Sequence, residues 1–386
     1  MVLMASTLWG VANTRRVHRF RTYHLTIEAK RMFSLQPIYL NKYISFSRSS
    51  WQCSQPTKTL FYLSWEDALW DLMKHKKVVP KSVILVPDFF CDDVEDNMRA
   101  HGLSVKYYPV NSDLQTTQSQ FEEAIALNNP KIIIIFHAVG ISNQLLNNRE
   151  WMKNISEETI LIEDCVHRVI EPTQVKFYKK NHFILTSLRK VVPLQESILF
   201  GSADDVPFKE SNHPSSWWYA SKVTFLWLMM NNLARLTQMF YSQSYLAKQL
   251  SLLSEKLMLI GYDLIGDNIE PAKGWPIFFW LYRHFNFEEI KRLKETQAEF
   301  YEKLFSEIKP IYQQSDRKEL SGWPLIMTIN SSNNFIEGVR REGLMLRFEL
   351  DNSAWSQKQK IVYLPMGPHI LPQHQIAVAN VIKKHL

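Results

Sequence analysis

Asp164 and Lys190 are the residues of this chain whose types and settings most readily do chemistry. Asp164 follows the apolar run Thr159-Ile160-Leu161-Ile162 and lies in Glu163-Asp164-Cys165-Val166-His167. Lys190 follows Phe183-Ile184-Leu185 and closes Thr186-Ser187-Leu188-Arg189-Lys190. Each run is short enough to be a buried strand. Open α/β sheets bind ligands beyond the carboxyl ends of their parallel strands, so the two runs set a carboxylate and an amine on one rim. A lysine there can form a Schiff base with a carbonyl, and a buried acid can keep a ring nitrogen protonated. Acids at strand ends and lysines in the loops after them are also common as plain structure. The order of the surrounding elements therefore has to carry the reading.

The elements that must position this pair alternate along the chain. Phe61-Tyr62-Leu63-Ser64 leads into Trp65-Glu66-Asp67-Ala68-Leu69-Trp70, where apolar positions 65, 68, 69, 72 and 73 follow helical spacing and Ser64 suits the N-cap. A helix N-terminus behind a small hydroxyl can receive an anion, although an ordinary capped helix reads the same way. Lys81 to Pro87 reads as a buried strand, Asp92 to His101 as a helix ended by Gly102, and Leu103 to Val110 as the next strand. Gln120 to Leu127 is helical, and Lys131 to Phe136, with four consecutive isoleucines, is the most apolar strand; it ends in His137-Ala138-Val139-Gly140. Asn148 to Glu158 is expected to be a helix before the strand that delivers Asp164. Spacings this short call for parallel crossovers and a doubly wound sheet.

A further strand, Ser197 to Phe200, precedes an aromatic helical region from Trp217 to about Leu257, whose tryptophans and methionines suit a core or a subunit interface. After a break from Gly261 to Pro276, Phe287 to Ile308 is an amphipathic helix. Pro324 to Ile329, Asn333 to Glu342, Leu344 to Leu350, Ile361 to Met366 and Gln373 to Lys384 then alternate as strand, helix, strand, strand and helix. The expected domains are a basic extension and arm over 1–54, a large α/β domain over 55–255 and a small α+β domain over 256–386.

The 386 residues are 46% hydrophobic and 22% charged, the profile of a soluble globular protein too large for one core. The longest apolar stretches, such as Phe225 to Met230, fall far short of a membrane span. Cys53, Cys91 and Cys165 are scattered without metal spacing, which points to a reducing, cytoplasmic compartment and away from disulfides or zinc. The formal charge of +7 concentrates at one end: residues 1–31 hold a net +5, leaving +2 for the rest. A nearly balanced body gives no support to nucleic-acid binding. The arginine-rich start reads either as a targeting peptide or as an upstream extension before Met32, the second being preferred.

The order of motifs resembles the DegT/DnrJ-type sugar aminotransferases. Val86-Pro87-Asp88-Phe89-Phe90-Cys91, Phe136-His137-Ala138-Val139-Gly140, Asp164-Cys165-Val166-His167, Ser187-Leu188-Arg189-Lys190 and the late Gly343, Trp355 and Leu364-Pro365-Met366 are collinear with that family over roughly 32–386. The resemblance implies a type I fold like that of aspartate aminotransferase, with pyridoxal 5′-phosphate as cofactor. It also implies a homodimer and ping-pong transfer from a small-molecule amino donor to a keto-sugar carried on a nucleotide. By position, Lys190 is the Schiff-base lysine and Asp164 pairs with the pyridine nitrogen. His167 reaches the phenolic oxygen, Ser187 and Ser64 meet the phosphate, and Trp65 stands at the phosphate-binding helix start. The departures lie at the phosphate end. Trp65-Glu66 replaces a Gly-Thr and puts a carboxylate where a dianion binds, and Glu196-Ser197 replaces a Gly-Gly pair. A related dehydratase reaction is disfavoured by Lys190, since those relatives carry histidine there. An accessory member that keeps the fold without the cofactor is the alternative.

Overall fold

Thr57–Tyr62 (β1) passes through Leu63 and Ser64 into the helix Trp65–His75 (α1), whose first free N–H groups are met by the Ser64 side chain at Asp67. The computed structural model describes residues 57–188, 196–205, 214–239, 271–342, 355–367 and 370–386, with isolated positions between 245 and 260. Val83–Pro87 (β2), Asp92–Ala100 (α2), Ser104–Tyr108 (β3), Gln118–Asn128 (α3) and Ile132–Phe136 (β4) follow. A capping box between Thr117 and Gln120 starts α3, and Asn129 in the left-handed region ends it. Ile160–Asp164 (β5), His182–Ser187 (β6), Ser197–Ser202 (β7) and Pro214–Met239 (α4) complete the first half.

These seven strands form one sheet in the order β1-β7-β6-β5-β4-β2-β3. β3, β2, β4, β5 and β6 run parallel, β7 turns back against β6, and β1 pairs antiparallel with β7. β1 therefore runs in the same sense as the parallel five. Its end, the ends of β4, β5 and β6, and the start of β7 all meet at one rim. The isoleucines of β4 are buried on both sides, as a central parallel strand requires. One face (Ile132, Ile134, Ile160, Ile162, Phe183, Leu185) packs under α1 and the later elements. The alternate residues of β4 and β5, Ile133, Ile135 and Leu161, pack with Phe121 of α3 and with Trp151.

The expected helix over Asn148 to Glu158 is replaced by the 3₁₀ segments Gln144–Leu146 and Glu150–Asn154. Local side chains win the backbone there: Asn148 accepts from the Glu150 N–H, Ser156 from the Glu158 N–H, and the Trp151 indole donates to the Leu145 carbonyl at 2.8 Å. A second difference is the helix Pro276–Arg283 (α5), inside and just beyond the expected break. Phe278 and Tyr282, four residues apart on one side of it, are buried with Ile198 and Phe200 of β7, while Phe279 and Trp280 on the other side are exposed.

Phe287–Leu304 (α6), Gly322–Thr328 (β8), Ile329–Arg341 (α7), Gln359–Pro365 (β9) and Pro372–His385 (α8) form the remainder, with β8 and β9 antiparallel. The expected strand Leu344 to Leu350 lies outside the described residues. Polar ties hold this part on the sheet rim: Ser321 N–H donates to the Val139 carbonyl at 2.8 Å, Ser142 donates to Asp316, and Lys291 pairs with Glu171 at 2.7 Å. The Trp355 indole donates to the Asn111 carbonyl at 3.0 Å. No helix among the described residues is long and apolar enough to cross a membrane.

Candidate active site

Asp164 is the last residue of β5. It lies beside Phe136 of β4 and Leu185 of β6, on the face that α1 covers. It is 2% exposed. Its Oδ1 accepts from the Val166 N–H at 3.1 Å, as a short acid two residues upstream often does. Burial pushes its pKa up to about 7. The Val166 N–H and the Trp65 indole oppose that rise, and the charge of Glu66 adds to it. The Trp65 indole stands near enough to stabilise the carboxylate yet completes no hydrogen bond of normal geometry, so its N–H is a buried donor without a partner. The first turn of α1 is thus folded over Asp164, with Trp65 packed edge-on to Phe90 at 6.2 Å.

His167 is 3% exposed and is held by a backbone donor: the Val139 N–H reaches its Nδ1 at 2.9 Å. A nitrogen that accepts is unprotonated, so the ring proton of the neutral form sits on Nε2. The loop that supplies this donor is strained, with Val139 at φ 59° and Gly140 at φ 96°. A Cβ on Gly140 would lie 2.4 Å from the Glu319 carbonyl and 2.9 Å from that of His167. Only glycine permits this approach. His137-Ala138-Val139-Gly140 is therefore the buttress of His167, a link invisible in the sequence because the two are joined only by the strand register.

Ser187 ends β6 on the same face as Leu185, hence as Asp164, and is buried opposite Ser197 of β7. The Ser197 hydroxyl is buried with no hydrogen-bond partner. Lys190, the expected Schiff-base lysine, follows Ser187 by three residues and lies outside the described residues. The structure brings Asp164, Trp65, His167 and Ser187 to one rim. It turns Ser64 to another task.

Ser64 Oγ accepts from the Asp67 N–H at 3.1 Å and donates to Asp67 Oδ2 at 2.7 Å, while Asp67 Oδ1 accepts from the Ala272 N–H at 2.9 Å. Leu63 N–H donates to the Ala272 carbonyl at 2.9 Å, so the segment around Ala272 laces across the mouth of α1. Burial pushes Asp67 up to about 7, against these hydrogen bonds and with the charge of Glu66 adding to the rise. Glu66 Oε2 is buried without a hydrogen-bond partner. Glu196, just before Ser197, is 1% exposed; burial pushes it well above the usual carboxylate range, opposed only by the nearby Trp275 N–H, which completes no hydrogen bond of normal geometry. Gly274 lies against that carboxylate, its Cβ position 2.4 Å from Oε1.

A second polar cluster sits on the opposite face. His137 Nε2 approaches Glu163 Oε1 at 2.9 Å, His182 Nε2 approaches Oε2 at 3.5 Å, and Cys165 Sγ lies 3.6 Å from Oε1. His137, Glu163 and Cys165 have the residue types and closeness of metal ligands. The tautomers argue otherwise. The Asn143 N–H donates to His137 Nδ1 at 3.1 Å and the Tyr178 N–H to His182 Nδ1 at 3.2 Å. Each neutral imidazole therefore carries its proton on Nε2, aimed at Glu163, and has no lone pair there for a metal. The histidines hold Glu163 well below the usual carboxylate range despite its burial. The cluster is a structural anion that accepts from His137 Nε2, with His182 Nε2 close by at 3.5 Å.

No protein-family model matches the chain, and no curated protein matches it in sequence. Solved structures do match in shape. AtS13 from Actinomadura melliaura shares 14% identity at a TM-score of 0.55, over 92% of this chain and 99% of its own. A DegT DnrJ EryC1 StrS aminotransferase from Brucella abortus shares 14% at 0.51, over 84% and 85%. DesV of S. venezuelae, in complex with a ketimine intermediate, shares 12% at 0.52, over 84% of each chain. These are type I pyridoxal phosphate folds. The chain has that fold.

The fold implies pyridoxal phosphate, and the residues present meet its two ends differently. The ring end fits. Asp164 is a buried acid whose charge is costly until an N–H⁺ meets it, and His167, with Nδ1 held by the Val139 N–H, would direct Nε2–H toward a ring oxygen. The start of α1 does not fit a dianion as it stands, because Ser64 is engaged by Asp67 and Glu66 Oε2 is a buried acceptor where phosphate oxygens need donors.

Proposed function

We propose that this chain is a pyridoxal-dependent aminotransferase of the sugar-aminating type, moving an amino group between a small-molecule donor and a keto-sugar by a ping-pong route. The observation that carries the reading is Asp164: a fully buried acid at the rim of the sheet, with burial driving its pKa to about 7. Such a group is destabilising unless something meets it, and a protonated pyridine nitrogen is a partner whose charge suits that place.

When bound, the cofactor ring supplies an electron sink for a carbanion next to the amino group. The chain's own residues set the conditions for it. Asp164 holds a proton on the ring nitrogen, and its burial beneath Trp65 excludes the water that would screen that pair. His167, with Nδ1 held by Val139, donates from Nε2 to a ring oxygen and fixes the ring's rotation. Ser187 and Ser197 present hydroxyls on the same face between the Asp164 strand and β1. Lys190 serves as the covalent anchor and then as the base that carries the proton between carbon atoms, the role that three residues beyond Ser187 makes available to it.

A dimer is part of this proposal. Trp218, Phe225 and Met229 of α4 are 71%, 61% and 39% exposed and recur at helical spacing. An apolar stripe of that kind suits a second copy of the chain better than solvent.

The alternative, an accessory member without a cofactor, would account for one observation: Trp65 lies over Asp164, where the resemblance leads one to expect glycine. A single experiment divides the two. Purified protein is incubated with pyridoxal or its 5′-phosphate, and the visible spectrum is followed as glutamate or glutamine is added. Conversion of a carbonyl-form band to an amine-form band supports the aminotransferase. Absence of any bound ring at saturation, in the wild type and in Trp65→Gly, supports the accessory protein.

A further inference from the structure

The two halves of the site make opposite demands, and the difference has a chemical reading. At the ring end, a buried acid and an oriented imidazole await a protonated heterocycle. At the other end, the described groups at the start of α1 that would receive a phosphate are already used or carry the wrong sign. The Ser64 hydroxyl and the Asp67 N–H bond each other; Asp67 is tied to Ala272; and the segment around Ala272 closes the mouth of α1. Glu66 adds a carboxylate whose Oε2 is buried and unpartnered and whose charge is felt by both Asp164 and Asp67. Two neutral donors on this rim, the Trp65 indole N–H over Asp164 and the Ser197 hydroxyl at the start of β7, are 6% and 1% exposed at the residue level and complete no hydrogen bond. An unpartnered carboxylate beside neutral donors suits a hydroxyl, which can both donate and accept. It repels a dianion.

We infer that this pocket selects the unphosphorylated ring, pyridoxal or pyridoxamine with its free hydroxymethyl group, over the 5′-phosphate, and that Glu66 is the residue that sets the preference. The inference rests on the ring-binding reading above and adds the identity of the ring's substituent. The hydroxymethyl group donates to Glu66 Oε2, which relieves a buried acceptor that now has no donor. A phosphate in its place brings further oxygens without donors against a buried acceptor that already lacks one.

The test uses pyridoxamine and pyridoxamine 5′-phosphate, which bind without a covalent step, and reads their dissociation constants by isothermal titration of the full chain at pH 8. In the wild type, pyridoxamine binds at least about tenfold more tightly than its phosphate, the discrimination expected of one partly screened like-charge contact. Glu66→Thr and the isosteric Glu66→Gln each reduce that ratio by about tenfold, chiefly by tightening the phosphate form. The two variants guard against a folding defect in either, and thermal melts confirm that both fold. Tighter binding of the phosphate form by the wild type overturns the inference and leaves the ring-binding reading standing. A ratio unchanged in both Glu66 variants also overturns it, by removing Glu66 as the cause. Binding of neither compound, in the wild type and in Trp65→Gly, overturns the inference together with the reading beneath it.

Discussion

Replacing Asp164 by asparagine should stabilise the ligand-free protein at alkaline pH while weakening its hold on the ring. The folded pKa of Asp164 is about 7 against 3.8 for an unperturbed aspartate. A carboxyl whose folded pKa is raised binds more protons in the native state than in the unfolded one, so its contribution to stability falls as pH climbs from 3.8 to 7 and is flat above. At about 1.36 kcal/mol per unit, the penalty is roughly 4 kcal/mol at pH 8 and under roughly 2 kcal/mol at pH 5. The asparagine carbonyl can keep the Val166 N–H bond. Urea denaturation of both proteins at the two pH values measures the difference directly. Asp164→Asn should gain about 2–3 kcal/mol more at pH 8 than at pH 5, while its affinity for pyridoxamine drops at least about tenfold through loss of the ion pair with the ring nitrogen. A variant equally stable relative to wild type at both pH values would refute the claim that Asp164 is held at a cost for a cationic ligand.

Other consequences follow from the same geometry. Gly140→Ala forces a Cβ against the Glu319 carbonyl and should cost more than about 3 kcal/mol in denaturant titration, with loss of ring binding as His167 shifts. Lys294 is fully buried, donates to the Leu320 carbonyl at 2.6 Å, and has its pKa lowered by burial to about 8. A depressed lysine adds stability as pH rises from 8 to 10.5, so Lys294→Met should abolish that part of the alkaline rise in stability. Trp218→Ser with Phe225→Ser should convert a dimer to monomer in sedimentation without lowering the melting temperature by more than a few degrees, since both side chains are exposed in one chain.

The parts of the fold legible in the sequence are those set by local pattern. The isoleucine run of β4, the Ser64 cap of α1 and the amphipathic α6 obey periodicity and capping rules, and the structure places them as expected. Asp164 at the end of an apolar run was legible for the same reason. What periodicity cannot show is long-range. The β4–β5 crossover lost its helix to Asn148 and Ser156, whose side chains compete for the backbone. The closure of the α1 mouth needed Ala272, some two hundred residues away, and the tautomer of His167 needed a strained N–H at Val139. Glu66 was visible as an unfavourable neighbour for phosphate, but not that its charge also reaches Asp164. No motif scan joins residues that meet only through a sheet register.

The rim holding Asp164 and His167 is proposed to bind a pyridoxal ring and to join it to Lys190. The direct measurement is sodium borohydride trapping of the protein with saturating pyridoxal, followed by peptide mapping of the reduced adduct by mass spectrometry. The account predicts one dominant adduct, on the peptide containing Lys190, that disappears in Lys190→Ala while the fold persists. Adducts scattered over surface lysines, with Lys190 unmodified, would contradict it.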